Sequence, residues 1–467
     1  MAGVVEQSAH FTDRRTKGLP VADAPKFDLE SYATNYDLHT RILRLRHIAQ
    51  ICPPLALEAL HLAFAAVKNT KDTALYLSLA TLLRNVDPSD PLATPQLDWV
   101  ERTNKLNEQE TDRLEHELRG YKNNLIKESI RMGQEDLGTH YLNMANFDAA
   151  AKAYQKMREF CTTPKHIAEM TTKLIYINLI SHQWLHALSN CQKLRALSLR
   201  PEDKARFDPI AQVASALANM GQGNYRMAAV TFIAVDPSYI TLGPVAGVDF
   251  ATSVMTGNDV AVYAALCALA SMDRQELQSL VLDDSRFRNF LELEPHVRRS
   301  ISLFCAGKYT HTLAILDSYR NDYLLDLFLT SHLDSLYQMI RSKSIVQYFV
   351  PFSSVTLSAL ATAFPPSAAP SASATSGSIE DELVDMIHRR QLHARIDSVN
   401  GILEPPPKDS REDAHQAVMN TADDIEHQLR LKLHRINMMQ AGLEIQAPKS
   451  GKGKSAWAQG NPALSMA

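Results

Sequence analysis

Between residues 345 and 404 the apolar period of this chain changes from about 3.6 residues to two, and few folds accept that change after a long helical stretch. Residues 345–352 (IVQYFVPF) form an apolar run leading into a serine-rich helix start. Ser353, Ser354 and Thr356 can cap the helix that follows, and Val355, Leu357, Leu360 and Phe364 supply its apolar face. A second short helix is predicted over residues 378–390 (SIEDELVDMIHRR), with Ser378 as its N-cap. Glu380 and Asp381 fall in its first turn and His388, Arg389 and Arg390 in its last, as the helix dipole favours. Ile379, Leu383, Met386 and Ile387 share one face. Leu392, Ala394 and Ile396 then alternate with polar residues. Asn400-Gly401 reverses the chain, and Ile402-Leu403 return before Pro405, Pro406 and Pro407. Helix, helix, small hairpin is the order of a winged helix, predicted here over residues 341–405. Its position, after a helical array and before one more long helix, points to an assembly subunit and not to an enzyme.

The upstream pattern is helical throughout. Leu38, Ile42, Leu45, Ile48 and Ala49 make a stripe within residues 27–49, and Pro53-Pro54 restarts the chain into a second helix over 55–69. Residues 73–84 form a third, and the proline-rich stretch 87–95 a loop. Residues 97–130 carry closely spaced Glu, Arg and Lys, which predicts a long solvated connector. Repeats follow. Leu137-Gly138, Tyr141, Ala150 and Tyr154 stand at the separations of a tetratricopeptide helix pair, although Gln134 and Met157 depart from its usual residues. Ala187 with Cys191, then Ala228 with Phe232, repeat the packing pair at steps of 37 and 41 residues. The expected fold class is all-α: a tetratricopeptide-like, right-handed helical solenoid, then the winged helix with its small β-hairpin, then a long C-terminal helix. The expected boundaries are a disordered N-terminus at 1–25, a helical-repeat domain at 26–225 and a second domain at 226–405. That second domain carries a disordered small-residue insertion at 365–377. A bundle helix at 406–447 and a disordered basic tail at 448–467 complete the chain.

Within that last helix Val418, Ala422, Ile425, Leu429, Leu433, Ile436 and Gln440 recur at steps of four and three, a seam seeking other helices. Composition excludes several classes. A formal charge of −4 with pI near 6.5 gives no global drive toward nucleic acid or anionic membrane. No apolar stretch reaches the roughly 18 residues of a membrane span, and no apolar signal core opens the chain. The five cysteines are scattered and form no CxxC pair, as expected of small buried residues in a reducing compartment. Cytoplasm and nucleus are the expected location.

The motifs that carry chemistry elsewhere are incomplete here. His182 and His186 lie four apart, as zinc ligands on one helix face would, but Gln183 stands where a hydrolase needs its general-base Glu. Packing within the repeat explains them better. Gly453-Lys454-Ser455 lacks the glycine a phosphate loop needs, since Pro448 stands in its place. Gly221 and Gly223 begin a GxG, but Arg226 occupies the third position, so a helix-to-helix turn is expected. Neither a catalytic residue nor a metal or cofactor site is expected. The winged helix would meet nucleic acid with Glu380, Asp381, Glu382 and Asp385 facing outward, which repels phosphate.

Three stretches carry a family resemblance: FDLESYATNYDLHTRILRLRHIAQICPPLALEAL, YKNNLIKESIRMGQEDLGTHYLNMANFDAAAKAY continued by KHIAEMTTKLIYINLISHQW, and SIVQYFVPFSSVTLSALATAF with LHARIDSVNGIL. Together they span residues 27 to about 445 and resemble the PCI module shared by the proteasome lid, the COP-nine signalosome and translation initiation factor three. Within it the chain is most similar to the subunit 1 branch of the signalosome, in a fungal form. The insertion at 365–377 departs from the pattern. The resemblance implies a PCI domain at 226–405 and a non-catalytic scaffold. It would support removal of NEDD8 from cullin-RING ligases by a partner metallo-isopeptidase. It implies PCI and MPN subunits as partners, with Leu392, Ala394, Ile396, Ile402 and Leu403 as the hairpin edge where PCI modules meet. Ile425, Leu429, Leu433, Ile436 and Met439 would be the helical-bundle contacts. A homologous subunit of the 26S proteasome lid is the alternative in the same class, and a nucleic-acid-binding PCI protein the alternative in another.

Overall fold

The computed structural model describes residues 28–365, 379–406 and 410–443, with Phe11 and Val21 as isolated positions. Residues 366–377 of the insertion, the Ser378 cap, the basic tail and most of the first 25 residues lie outside these. The chain divides after Glu404 into a large unit and a second unit that begins at Pro405.

The large unit opens with four helices. Asp28 caps Leu29–Thr34, Asp37 caps Leu38–Ile51, Ala56–Val67 follows, and Asp72 caps Thr73–Val86. The single helix expected over 27–49 is thus two, because the Asp37 carboxylate takes the Leu38 N–H and restarts the backbone. Ile42, Leu45, Ile48, Leu60, Phe64 and Leu83 form the core of this layer. Phe11 and Val21 are buried in it too, and the Val21 N–H donates to the Ile51 carbonyl at 3.0 Å. The expectation of disorder over 1–25 therefore fails at those two positions. Lone apolar residues in a polar segment have no period to reveal them.

The charged stretch after residue 97 also divides, into Leu97–Asn123 and Lys127–Asn143, with Leu125 between them at φ +54°. It is not only a solvated connector. Arg113 bridges Glu110 and Glu117 on the outer face, while Val100, Leu114 and Leu118 are buried on the other. Three apolar residues suffice to seat a helix whose remaining faces are charged.

The solenoid is built on one turn used four times. Helix pairs Lys127–Asn143 and Phe147–Met157, Pro164–Ile180 and Trp184–Ala196, and Pro201–Gly221 and Tyr225–Ile233 are followed later by Pro295–Cys305 and Tyr309–Leu324. In each pair the first helix ends on a left-handed residue: Ala145, His182, Gly223 and Gly307. The next residue donates its N–H back over the turn. Asn146 reaches Tyr141, Gln183 reaches Asn178, Asn224 reaches Asn219 and Lys308 reaches Leu303, at 2.8 to 2.9 Å. This is the Schellman closure, which satisfies carbonyls the helix end leaves free.

The packing pairs read from the sequence fall at fixed offsets after each turn. Ala150 with Tyr154, Ala187 with Cys191 and Ala228 with Phe232 are all buried. A fourth pair, Thr312 with Leu316, is buried in the same place after Gly307. The sequence did not reveal it, because a threonine replaces the alanine. Gly138 explains itself: a Cβ there would lie 2.6 Å from the Tyr154 ring. Gly221 does the same against Trp184, where a Cβ would lie 2.4 Å away, so the GxG is a helix-to-helix turn.

A buried charge cluster fastens the first helices to the later ones. The Arg44 guanidinium, 1% exposed, donates to Asp326 at 2.6 Å and to Asp259 at 3.2 Å, and lies 4.0 Å over the Tyr36 ring. The Tyr36 hydroxyl donates to Asp259 and the Tyr263 hydroxyl to Asp326. Burial raises the Asp259 carboxyl above its ordinary value, with Asp326 adding repulsion against the pull of Arg44. Burial pushes Asp326 the same way, but Arg44 and the Tyr263 hydroxyl outweigh it and hold that carboxyl below its ordinary value.

Candidate assembly surfaces

Helix Thr330–Phe349 carries the winged helix. After it come β1 (Val355–Thr356), helix Leu357–Ala363, helix Ile379–His388, β2 (Arg395–Asp397) and β3 (Ile402–Glu404). Thr356 does cap its helix, accepting the Ala359 N–H at 3.3 Å. Val355, however, belongs to a strand and not to the helix face. Two residues are too short to show a period, so the expected two-stranded hairpin is a three-stranded antiparallel sheet of order β1-β3-β2.

That order decides which backbone is open. Leu403 pairs with Val355 on one side and Ile396 on the other, and Ile402 pairs with Thr356 and Asp397. Ile402 and Leu403 sit on the central strand with both flanks occupied, so they cannot form a sheet edge through their backbones. Leu392 and Ala394 are buried ahead of β2, and Ile396 is half-buried within it. The free edge on this side is the outer flank of β2, residues Arg395–Asp397. The β2–β3 loop is held by Asp397, which accepts the backbone N–H groups of Val399 and Asn400 and the Asn400 side-chain amide. Only Gly401 takes a positive φ, at +63°, so Asn400-Gly401 closes a four-residue loop and not a two-residue primed turn.

Arg341 ties the winged helix together across the insertion. It donates to Glu382 at 2.9 Å and to the carbonyls of Phe364 and Pro365 at 3.0 and 2.9 Å. Glu382 therefore turns inward, against the expectation that it faces out with its neighbours. Glu380, Asp381 and Asp385 are exposed.

The second unit holds helix Ser410–Gln440. Its apolar seam is open: Ile425, Leu429, Leu433, Ile436 and Met439 are each 47% to 60% exposed, and Val418 is 65% exposed. Apolar side chains at heptad spacing left in water are a surface for other helices.

The remaining motifs settle into structure. His182 occupies a left-handed turn and Trp184–Ala196 begins after it, so His182 and His186 do not share a helix face. The His182 ring packs edge-on against Trp184 and Phe328. All five cysteines are free, and four are buried. Among the described residues no group of three or more His, Cys, Asp or Glu is placed to hold a metal ion.

Comparison with known proteins agrees with this architecture. Residues 97–280 match the family described as 26S proteasome subunit RPN7, and residues 316–405 match the PCI domain. COP9 signalosome complex subunit 1 of Emericella nidulans is 48% identical over 428 residues, covering 91% of this chain and 84% of the relative. The Neurospora crassa protein of that name is 35% identical over 89% of this chain and 91% of its own length. The one from Arabidopsis thaliana is 35% identical over 93% and 95%. Matches of that identity across nearly the whole helical array and winged helix show that the chain belongs to the COP9 signalosome subunit 1 family of PCI-domain proteins.

Proposed function

We propose that this protein is a non-catalytic scaffold subunit of the signalosome. In that role it holds other PCI and MPN subunits in place while a partner metallo-isopeptidase removes NEDD8 from cullin-RING ligases. The observation that carries this reading is a pair of unsatisfied surfaces on one chain. The outer flank of β2 offers unpaired backbone groups, a template for strand addition by a neighbour. The seam of Ser410–Gln440 offers apolar side chains at heptad spacing. A chain that worked alone would gain nothing from leaving both open. The edge contact is assigned to Arg395, Ile396 and Asp397, supported from below by Leu392, Ala394 and Leu403. The bundle contact is assigned to Ile425, Leu429, Leu433, Ile436 and Met439. Cytoplasm and nucleus are the proposed location.

The match of residues 97–280 to a proteasome subunit family favours a second reading, a place in the 26S regulatory lid. One experiment separates the two. The tagged chain is recovered from native extract, its partners are identified by mass spectrometry, and the eluate is assayed for cullin–NEDD8 cleavage. Co-recovery of signalosome subunits with metal-dependent cleavage, absent from the purified single chain, is expected. Recovery of proteasome subunits with peptidase activity would overturn the choice of complex. Cleavage by the isolated chain would overturn the scaffold reading.

A further inference from the structure

We propose that the cleft between the first helices and the first two solenoid turns is a recognition site for an amino-acid-type ligand. Such a ligand joins a carboxylate to a neighbouring N–H and an apolar body. The cleft has a volume of about 470 Å³, within the roughly 300–1,000 Å³ of small-ligand sites. Its apolar wall is Leu43, Phe147, Ile180 and Phe328, and its polar groups converge from three elements.

Two of those groups are unsatisfied. Arg46, half-buried on Leu38–Ile51, lines the cleft, and among the described residues no carboxylate lies in ion-pair range of it. The His39 Nε2, on the same helix, is buried with no hydrogen-bond partner. Its ring packs edge-on against Phe147, and burial holds the imidazole below its ordinary value against the opposing pull of Asp72 and Asp37. Other buried nitrogens of this fold also lack a partner, Arg44 Nε and Arg320 Nε among them, but the His39 Nε2 belongs to a residue that lines a cleft, where an arriving group can satisfy it. Asp72 supplies the complementary acceptor: its Oδ1 takes the Leu75 N–H as an N-cap, which leaves Oδ2 for a ligand N–H. Arg46 and His39 would take the carboxylate and Asp72 the N–H, with the hydrocarbon lying against Phe147 and Phe328.

The backbone makes an independent argument. Of the four equivalent left-handed turns, those at Gly223 and Gly307 use glycine, the residue that geometry favours. The other two carry side chains, Ala145 at φ +56° and His182 at φ +54°, and both line this cleft. Left-handed residues with side chains also occur at Leu125, Ala246 and Arg390, but within the four repeat turns both fall where their side chains shape this cavity, as strained backbone at a working site does.

The test uses the full chain with its histidine rings isotopically labelled and three probes: acetyl-Leu-Glu-amide, acetyl-Leu-Gln-amide and free acetyl-glutamate. The acidic dipeptide is expected to shift the His39 and His182 signals and to bind about ten-fold more tightly than its glutamine counterpart. Arg46→Gln should abolish that preference while leaving the melting temperature unchanged. Acetyl-glutamate matching the dipeptide supports the site and assigns it to a free organic acid. Acetyl-glutamate binding far more weakly supports it and assigns it to an acidic peptide segment. Equal binding of the two dipeptides, no binding at millimolar concentration, or wild-type affinity in a stably folded Arg46→Gln would overturn the proposal.

Discussion

Helices Thr330–Phe349 and Ser410–Gln440 carry nearly the same apolar pattern and end in opposite states. In the first, Leu333, Leu336 and Ile340 recur at steps of three and four, and all are buried. In the second, Leu429, Leu433 and Ile436 recur in the same way and all are more than half exposed. The stripe states only that a helix wants cover. Whether the cover belongs to the same chain depends on the surrounding sequence. Thr330–Phe349 is held by polar anchors along its length: Arg320 donates to Asp334, Arg341 to Glu382, and Lys343 to the carbonyls of Leu269 and Met272. In Ser410–Gln440 the ion pair of Arg430 with Glu426, at i and i+4, stays on the helix's own surface.

The comparison breaks most sharply if the packed helix tolerates a charge. Leu336→Asp places a carboxylate where the side chain is fully buried. Burying an unpaired charge costs several kcal/mol, on the order of the whole stability of a domain. The expected outcome is little or no folded protein, checked by circular dichroism and urea unfolding. Next comes the charge cluster. Arg44→Met leaves Asp259 and Asp326 buried against each other with no counter-charge, at a cost of about 3–5 kcal/mol. The urea midpoint should fall accordingly. A variant as stable as wild type would mean that the two carboxylates share a proton well enough to dispense with Arg44.

A smaller change sharpens the picture of the packed region by improving it. Ala145→Gly removes a Cβ from a left-handed residue and should raise stability by about 0.5–1 kcal/mol, read as a rise in the urea midpoint. A fall instead would mean that the Ala145 methyl contributes packing worth more than its backbone strain.

The turns also show how far the sequence could be read. Gly223 announced its turn, but Ala145 and His182 adopt the same conformation with nothing in their identity to reveal it. Long periodic helices, the small-residue packing pairs and the position of the winged helix were legible because each repeats a spacing. The third strand, the fourth packing pair and the burial of Phe11 were not, because each rests on one or two residues placed by distant chain. The assembly surfaces divide in the same way. The heptad seam could be read residue by residue from its period. The open edge could not, because only strand order places Ile402 and Leu403 in the centre and leaves Arg395–Asp397 outside. His39 and Arg46 gave no signal either, since an orphaned nitrogen is a property of what surrounds it.

The least effect on the chain itself is expected from Leu429→Asp combined with Leu433→Asp, and that small effect makes the variant decisive. Both side chains are more than half exposed, so two added carboxylates keep their water and desolvation costs nothing. The remaining penalty is helix propensity, about 0.5 kcal/mol per site and confined to one helix. The melting temperature of the large unit should therefore stay at the wild-type value. In the assembled complex the same carboxylates would meet the apolar seams of partner helices, and the pair should be lost from native pull-downs. A lowered melting temperature in the isolated chain would mean that the seam is covered by this protein's own residues in solution. The two helices would then differ in degree and not in kind. An unchanged melting temperature with full recovery of partners would remove the seam from the assembly and leave the β2 edge as the surface that holds the chain in place.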